Sequence, residues 1–206
     1  MAFLISSSSP RRLQRILRGV LLGWLCLGVW LASLCAEAGP APEAARAREI
    51  STEYQVKAVF LFDFAQFAEW PEAAFAGPDA PFVIGIIGED PFGKYLDALV
   101  KGERVGHRPL LVRRFRSLED MHGCHILFLS RSKANEFADI FAALAGQSVL
   151  TIGDTDDFNR AGGIVRFATE SGKIRLKINL DAAKAAHLTI SSKILRPSTL
   201  VTVDKE

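Results

Sequence analysis

Three short, nearly uninterrupted apolar runs constrain the fold more than any other feature of the chain. They are PFVIGIIG at 81–88, CHILFLS at 124–130 and SVLTIGD at 148–154. Each run has the length of one β-strand, and none alternates between apolar and polar side chains. Strands of this kind occur in parallel sheets that are covered by helices on both faces. The sequence therefore predicts a central sheet between two layers of helices.

The segments around these runs carry the patterns of helices and of one further strand. A capping box at Thr52 and Gln55 predicts a helix from about Glu53 to Glu69, which Pro71 cannot continue. Alternating strands and helices favour a mostly parallel sheet. The other predicted elements are a strand at 109–115 and helices after Asp90-Pro91, at 132–144 and from Asp181.

The C-terminal part of the chain has a different pattern. Two strands, at 164–168 and 173–180, are separated by a turn that ends in Gly172, which predicts an antiparallel hairpin. The run KIRLKINL alternates cleanly, so one face of the second strand should meet solvent. The predicted fold is therefore α/β: a single three-layer domain with a mostly parallel mixed sheet, an antiparallel C-terminal hairpin and helices on both faces.

The first 38 residues have the order of a secretory signal peptide. Four arginines precede the uncharged run 19–36, and a small-x-small cleavage site follows at 36–38. Residues 39–50 are rich in Ala, Pro, Glu and Arg and are predicted to be a linker, so the domain itself would span 51–206. Three alternatives remain open: an uncleaved membrane anchor, a lipoprotein site at Cys35 and twin-arginine export through Arg11-Arg12.

The predicted leader also accounts for the basic charge of the chain and for two of its cysteines. It holds four of the 25 Lys+Arg residues and one of the 23 Asp+Glu residues, which leaves 21 basic and 22 acidic side chains and a net charge of −1. This balance argues against nucleic-acid binding. Removal of Cys26 and Cys35 leaves Cys124 alone, so no intrachain disulfide is expected. Cys124 is either a buried small hydrophobe or a free thiol that pairs between chains.

No motif for catalysis, a metal or a cofactor can be assembled from the sequence. The glycines of GIIGEDPFG do not have the dinucleotide-binding spacing, and the acids in this turn would repel a phosphate. The acidic run GDTDDF lacks the glycine and the closing glutamate of a calcium loop. The four histidines lack metal-ligand spacing. We therefore expect a protein that is not an enzyme and has no cofactor.

Six phrases, in order, resemble the YfiR family of small exported proteins over about residues 53–196. They are EYQVKAVFLFDFAQFAEWP, FVIGIIGEDPFG, CHILFLS, VLTIGDTDDF, GGIVRF and KIRLKINLDAAKAAHLTISSKIL. The resemblance implies a single α/β domain in the periplasm of a Gram-negative bacterium. It also implies a regulator that binds and represses the periplasmic domain of an inner-membrane diguanylate cyclase, which lowers cyclic-di-GMP signalling and biofilm formation. Redox control through cysteine pairs is not carried over.

The first candidate site lies on the predicted helix 53–69. At 100° per residue, Tyr54, Val56, Phe60, Leu61, Phe64, Phe67 and Ala68 form the side expected to pack on the sheet. Val59 and Phe62 fall among polar residues on the other side. They are either covered by a following loop at 70–75 or exposed for a partner protein. The partner-binding hypothesis names Val59, Phe62, Gln66 and Trp70.

The second candidate site is the late hairpin. With ordinary register, Glu170, Arg175, Lys177 and Asn179 would project near one another. This is either a solvated sheet face or a ligand or partner groove, in which Arg175 could hold a carboxylate or phosphate. The second reading supports an alternative function: a periplasmic small-ligand sensor that acts on a histidine kinase or another membrane receptor. Contact with a membrane is expected only through the partner or an uncleaved leader, and a homodimer remains open.

Overall fold

The structure is a computed structural model that describes residues 42–195 and 199–201. The chain divides into Met1–Ala47 and Arg48–Glu206. The predicted signal peptide 1–38, with Cys26 and Cys35, lies outside the described residues. Of Met1–Ala47, only the beginning of one helix is described, so the account below concerns Arg48–Glu206. No helix in the described ranges is long and apolar enough to cross a membrane.

The described chain forms five α-helices, ten strands and two 3-10 turns. The helices are α1 (Pro42–Phe67), α2 (Lys94–Val100), α3 (Phe137–Ala143), α4 (Leu180–Ala185) and α5 (Ser192–Leu195), and the 3-10 turns are Glu72–Ala74 and Arg131–Glu136. The strands are β1 (Ala68–Glu69), β2 (Phe82–Ile87), β3 (Arg104–Val105), β4 (Arg108–Phe115), β5 (Ile126–Leu129), β6 (Leu150–Gly153), β7 (Val165–Glu170), β8 (Lys173–Asn179), β9 (Thr189–Ile190) and β10 (Thr199–Val201).

Eight of these strands form the main sheet, in the order β10-β8-β7-β6-β5-β2-β4-β3. Strands β7, β6, β5, β2 and β4 run parallel to their neighbours in this row. β8 pairs antiparallel with β7, β3 pairs antiparallel with β4, and β10 runs parallel to β8. β1 and β9 form a separate antiparallel pair. The predicted mostly parallel sheet with a C-terminal hairpin is confirmed.

The core lies on both faces of the sheet. On the first face, Ile84 and Ile86 of β2 pack in one cluster with Leu61 of α1 and Leu96 of α2. On the second face, the alternate residues of the same strand pack in another cluster with α3. All six residues of β2 are buried, as its unalternating sequence predicts. Burying one such side chain stabilises the folded state by about 1.5–3 kcal/mol. Because the side chains of β2 point to both faces, this stabilisation depends on both helical layers.

The first helix begins earlier than predicted. α1 starts at Pro42 instead of Glu53 and ends at Phe67, so the capping box at Thr52 lies inside the helix, and the prediction of a helix start there is wrong. The cause is local: proline suits the first position of a helix, and the Ala, Glu and Arg residues of 42–50 are good helix formers. Residues 42–50 of the predicted linker are therefore helical.

Cys124 is part of the cluster on the second face. Its side chain is 5% exposed, between Met121 and Leu127 in sequence and among other buried apolar residues. Burial raises the pKa of the Cys124 thiol to about 12, so the reactive thiolate is disfavoured. Of the two interpretations left open by the sequence, the buried small hydrophobe fits this position.

Two glycines allow a close approach on the same face. Phe158 is fully buried and lies against both Gly153 and Gly163. A Cβ atom at Gly163 would lie 2.1 Å from Cε1 of Phe158, well inside contact distance. The absence of a side chain at these positions therefore allows the ring to cover the end of β6.

We predict that Gly163→Ala lowers the free energy of unfolding by about 1–3 kcal/mol, because the enclosed ring of Phe158 has no room to move away. Gly77→Ala is the matched control, since nothing lies within 4 Å of a Cβ atom at that position. Urea unfolding followed by circular dichroism measures both variants. Equal stability of the two variants would contradict the close packing described here.

Candidate interaction surface

One buried lysine determines which side of α1 faces the sheet. Lys57 is 2% exposed and lies on the buried side of the helix with Ala58, Leu61, Phe64 and Ala65. The small side chains of the two alanines leave little bulk between the helix and the sheet. The middle of the buried side therefore lies closer to Lys57 and Ala58 than the positions of the aromatic residues alone predict.

An ion-pair network explains the burial of Lys57. Its Nζ atom lies 2.7 Å from Oδ2 of Asp154, the residue that follows β6, and 2.7 Å from Oε1 of Glu53 on the preceding helical turn. The hydroxyl of Tyr54 donates to the same Oδ2 atom at 2.8 Å, and Nζ lies 4.3 Å from the centre of the Tyr54 ring. The network joins α1 to the carboxyl end of the central sheet.

The electrostatics of the network favour one protonation state. Burial raises the pKa of Tyr54, and its hydrogen bond to Asp154 acts in the same direction, so the phenol stays protonated and donates. Breaking a buried ion pair leaves one charge uncompensated, which is costly. The network therefore fixes the rotation of α1 rather than providing a group for chemistry.

The opposite side of α1 carries exposed apolar residues. Val56 is 43% exposed, Val59 is 40% and Phe67 is 37%, and these are large exposures for apolar side chains. The prediction that Val56 and Phe67 pack on the sheet is wrong, because the side centred on Lys57 and Ala58 is buried instead. The remaining predicted packing residues, Tyr54, Phe60, Leu61, Phe64 and Ala68, are buried or half-buried. We call Val56, Val59, Phe60, Asp63 and Phe67 the α1 stripe.

Two clefts adjoin the α1 stripe. The larger, of about 390 Å³, lies between α1 and the β7–β8 hairpin, and its lining includes Val56, Phe60 and Ile174. The smaller, of about 150 Å³, lies between α1, β8 and α5. Phe60 lines both clefts, so they share one wall along the helix. Asp63 lines the smaller cleft, and burial raises the pKa of its carboxyl group.

The four residues of the partner-binding hypothesis do not form one exposed group. Val59 is exposed, whereas Phe62 is half-buried and packs against the core of the first face. Gln66 donates from Nε2 to the carbonyl of Arg104 at 2.9 Å. Trp70 donates from Nε1 to the carbonyl of His125 at 3.2 Å. Val59 alone combines the predicted role with an unobstructed apolar surface.

The hairpin brings together three of the four residues predicted there. Lys177 and Glu170 form an ion pair of 2.9 Å, which lowers the pKa of Glu170, and Arg175 is exposed on the same face. Asn179 is buried, and its Oδ1 atom accepts from the backbone of Ala182 as the N-cap of α4. The prediction that Asn179 shares the exposed surface is wrong, because the end of β8 turns directly into α4.

The acidic turns are occupied by internal partners. Asp154, Asp156 and Asp157 point to three different cations: Lys57, Arg166 and Arg160. Asp90 accepts from the backbone of Phe92 and Gly93 and pairs with Arg114. A carboxylate therefore occupies the turn where a dinucleotide would need its phosphate. Among the described residues, no group of three or more His, Cys, Asp or Glu side chains could hold a metal ion.

The sequence contains one signal for this arrangement. Lys57 stands among apolar residues on α1, and a lysine in such a position must either reach solvent or have a buried partner. Its partner Asp154 stands in the acidic run GDTDDF, whose local pattern indicates only a turn. The two residues are 97 positions apart, and nothing in the local patterns connects them.

The fold and the surface define an α/β protein that carries an exposed apolar helix side next to two clefts. The chain belongs to the YfiR/HmsC-like family, whose model matches residues 54–199. Proteins of this family are periplasmic regulators rather than enzymes.

Solved structures give weaker likenesses. A conserved domain protein from Vibrio cholerae O1 biovar eltor is 13% identical, with a TM-score of 0.41, over 57% of this chain and 54% of that one. A Streptococcus pneumonia protein described as an ABC domain in complex with L-Trp is 9% identical, with a TM-score of 0.43, over 58% and 55%. The chain thus spans about half the length of each. Sequence comparison with curated proteins gives no match.

We predict that Lys57→Met lowers the free energy of unfolding by about 3–5 kcal/mol, because Asp154 is then left buried without its cation. The double variant Lys57→Met/Asp154→Leu should be less destabilised than the two single variants together. Lys184→Met is the control, since its pair with Asp181 is 3.9 Å long and exposed and should contribute less than about 1 kcal/mol. Additive effects at Lys57 and Asp154 in thermal unfolding would show that the two residues are not coupled.

Proposed function

We propose that the chain is a periplasmic repressor that binds the periplasmic domain of an inner-membrane signalling protein, a diguanylate cyclase, through the α1 stripe. Family membership supports the regulatory role. The stripe supplies the surface: three apolar side chains, each more than a third exposed, lie on one side of one helix. Exposed apolar patches beside polar residues are typical of protein contact sites. This exposed stripe is the observation that carries the proposal.

The network beneath the stripe supports a rigid contact. The ion pair of Lys57 with Asp154 and Glu53 holds the turn of α1 that carries Val56. A surface fixed before binding loses little conformational freedom when the partner docks, which favours affinity. The same side chains that pack α1 onto the sheet therefore preorganise its outer side.

Repression would follow from a population shift. A cyclase exchanges between active and inactive arrangements, and a protein that binds the inactive one more tightly increases its population. Moving the ratio of the two states from 1:99 to 99:1 needs about 10⁴-fold stronger binding to the favoured state, or about 5.5 kcal/mol. Burial of a few apolar side chains of the size of Val59 and Phe67, at about 1.5–3 kcal/mol each, can contribute energy on this scale.

We predict that Val59→Asp weakens binding to the cyclase's periplasmic domain at least about tenfold, because it places a charge in the apolar contact. Its melting temperature should stay close to that of the wild type, since Val59 already faces solvent. Tyr95→Asp on α2 is the matched control, because Tyr95 is 41% exposed. Calorimetric titration measures both. Unchanged affinity for Val59→Asp, with the wild type binding normally, would exclude the stripe as the contact.

In cells, co-expression of the protein with the membrane cyclase should lower cyclic-di-GMP. Val59→Asp should restore it at equal protein levels, whereas Tyr95→Asp should not. If the wild-type protein leaves cyclic-di-GMP unchanged while still binding the cyclase, the proposed repression is wrong although the contact is right.

A second candidate function rests on the larger cleft. Its volume of about 390 Å³ falls in the range of small-molecule sites. Arg175 is not part of the lining, which on the hairpin consists of Thr169, Gly172, Lys173 and Ile174. A ligand-sensing component would show a rise in melting temperature with a metabolite, and Ile174→Trp should abolish that rise by filling the cleft. No shift with any compound of a metabolite panel would favour the protein-binding function.

A further inference from the structure

The segment from Trp70 to Ala80, which we call the strap, joins β1 to β2 and is held by side chains from other parts of the chain. Arg108 of β4 donates from Nη1 to the carbonyls of Gly77 and Ala80, at 2.7 Å and 3.0 Å. The ring of His107 lies 2.6 Å from the carbonyl of Pro78. Apart from its 3-10 turn at Glu72–Ala74, the strap has no regular structure of its own. Its position therefore depends on these contacts.

A buried histidine forms the centre of the attachment. His125 is 2% exposed and packs against two phenylalanines, which also contact each other: its ring centre lies 4.4 Å from that of Phe75 in the strap and 4.8 Å from that of Phe82 in β2. The guanidinium of Arg108 covers the Phe75 ring at 3.8 Å. The backbone carbonyl of His125 accepts the indole N–H of Trp70. His125 thus contacts the strap at two aromatic residues, Trp70 and Phe75.

The hydrogen bond of the ring requires neutral histidine. Nδ1 of His125 lies 3.1 Å from the backbone nitrogen of Val83, whose N–H donates to it. An imidazole nitrogen accepts a hydrogen bond only when it carries no proton. If Nδ1 carried a proton, its N–H would face the N–H of Val83, so two donors would point at each other. The Val83 N–H would then have no acceptor inside the core. Acid therefore acts directly on this bond.

The charges around His125 add to this effect. β4 contributes Arg108, whose positive charge opposes a second cation, and the strap contributes Glu72, which is exposed and lies 3.8 Å from Arg108. The facing residues of β2 and β6, Phe82, Val83 and Leu150, carry no charge. Burial lowers the pKa of His125 to about 4, with the backbone of Ala74 opposing the shift and Arg108 adding to it. His125 therefore binds a proton less readily when the strap is closed than when it is open.

We propose that His125 is an acid-sensitive latch for the strap: protonation of Nδ1 breaks its bond to Val83 and releases Trp70–Ala80 from the sheet. The free histidine of an open strap titrates near 6.5. The contribution of His125 to strap closure is thus fully present above pH 6.5 and is lost as the pH falls toward about 4. Opening exposes the rings of Trp70 and Phe75, which follow β1 in the chain. This inference does not depend on the proposed function.

Backbone amide exchange measured by nuclear magnetic resonance on the purified protein tests the latch. The amides of Ala74, Phe75 and Ala80, which are hydrogen-bonded within the strap, report its opening. After correction for intrinsic exchange, their protection should fall on the order of tenfold or more between pH 6.5 and 4.5. The amide of Ile84, in the centre of the sheet, should keep its protection. A pH-independent strap, or a His125 ring that titrates near 6.5, would overturn the proposal.

Two variants separate the effect of His125 from that of His107, the other histidine that contacts the strap. His125→Asn keeps an oxygen acceptor near the position of Nδ1 but cannot be protonated there, so the pH response should disappear. His107→Asn should retain the response, because a ring that donates to the carbonyl of Pro78 keeps that bond when it is protonated. A response that survives His125→Asn, or one that is lost in His107→Asn, would contradict the proposal. The ring titration of the wild type decides the matter if His125→Asn does not fold.

Discussion

The buried ion pair between Lys57 and Asp154 determines the outer surface of this protein. A cation inside an apolar layer is stable only with its counter-charge, so the helix must present Lys57 to the end of β6. Once that contact is made, the rotation of α1 is fixed and Val56 and Val59 must face outward. The surface proposed for partner binding is therefore a consequence of an interaction in the core rather than an independent feature.

The sheet could be predicted from the sequence because its signals are local. Runs such as 81–88 are apolar at every position, and this requires cover on both faces wherever the strand lies. The hairpin at β7 and β8 was equally readable from its alternation and its turn. α1 was different, because apolar residues occur on all of its sides and leave its rotation undetermined. The deciding contact joins Lys57 to a residue 97 positions away.

The same distinction applies to the candidate site residues. The polar residues around Val59 place it on the outer side of the helix, which is a local property, but the sequence left open whether the loop 70–75 covers it; in the structure Val59 is exposed. The positions of Trp70 and Asn179 depend on their bonds to His125 and Ala182, and these follow from how the strap and α4 are placed. Family membership supplies the regulatory role, which no side chain in the described part of the chain specifies by itself.

The central claim is that the outward side of α1 contacts the signalling partner. Site-specific photo-crosslinking tests it most directly, with a benzophenone amino acid placed at Val59 in one protein and at Tyr95 or Leu111 in two others. All three positions are similarly exposed, at 40%, 41% and 42%. The account predicts covalent capture of the cyclase's periplasmic domain from position 59 and not from positions 95 or 111. Capture from position 95 or 111, with none from position 59, would contradict it.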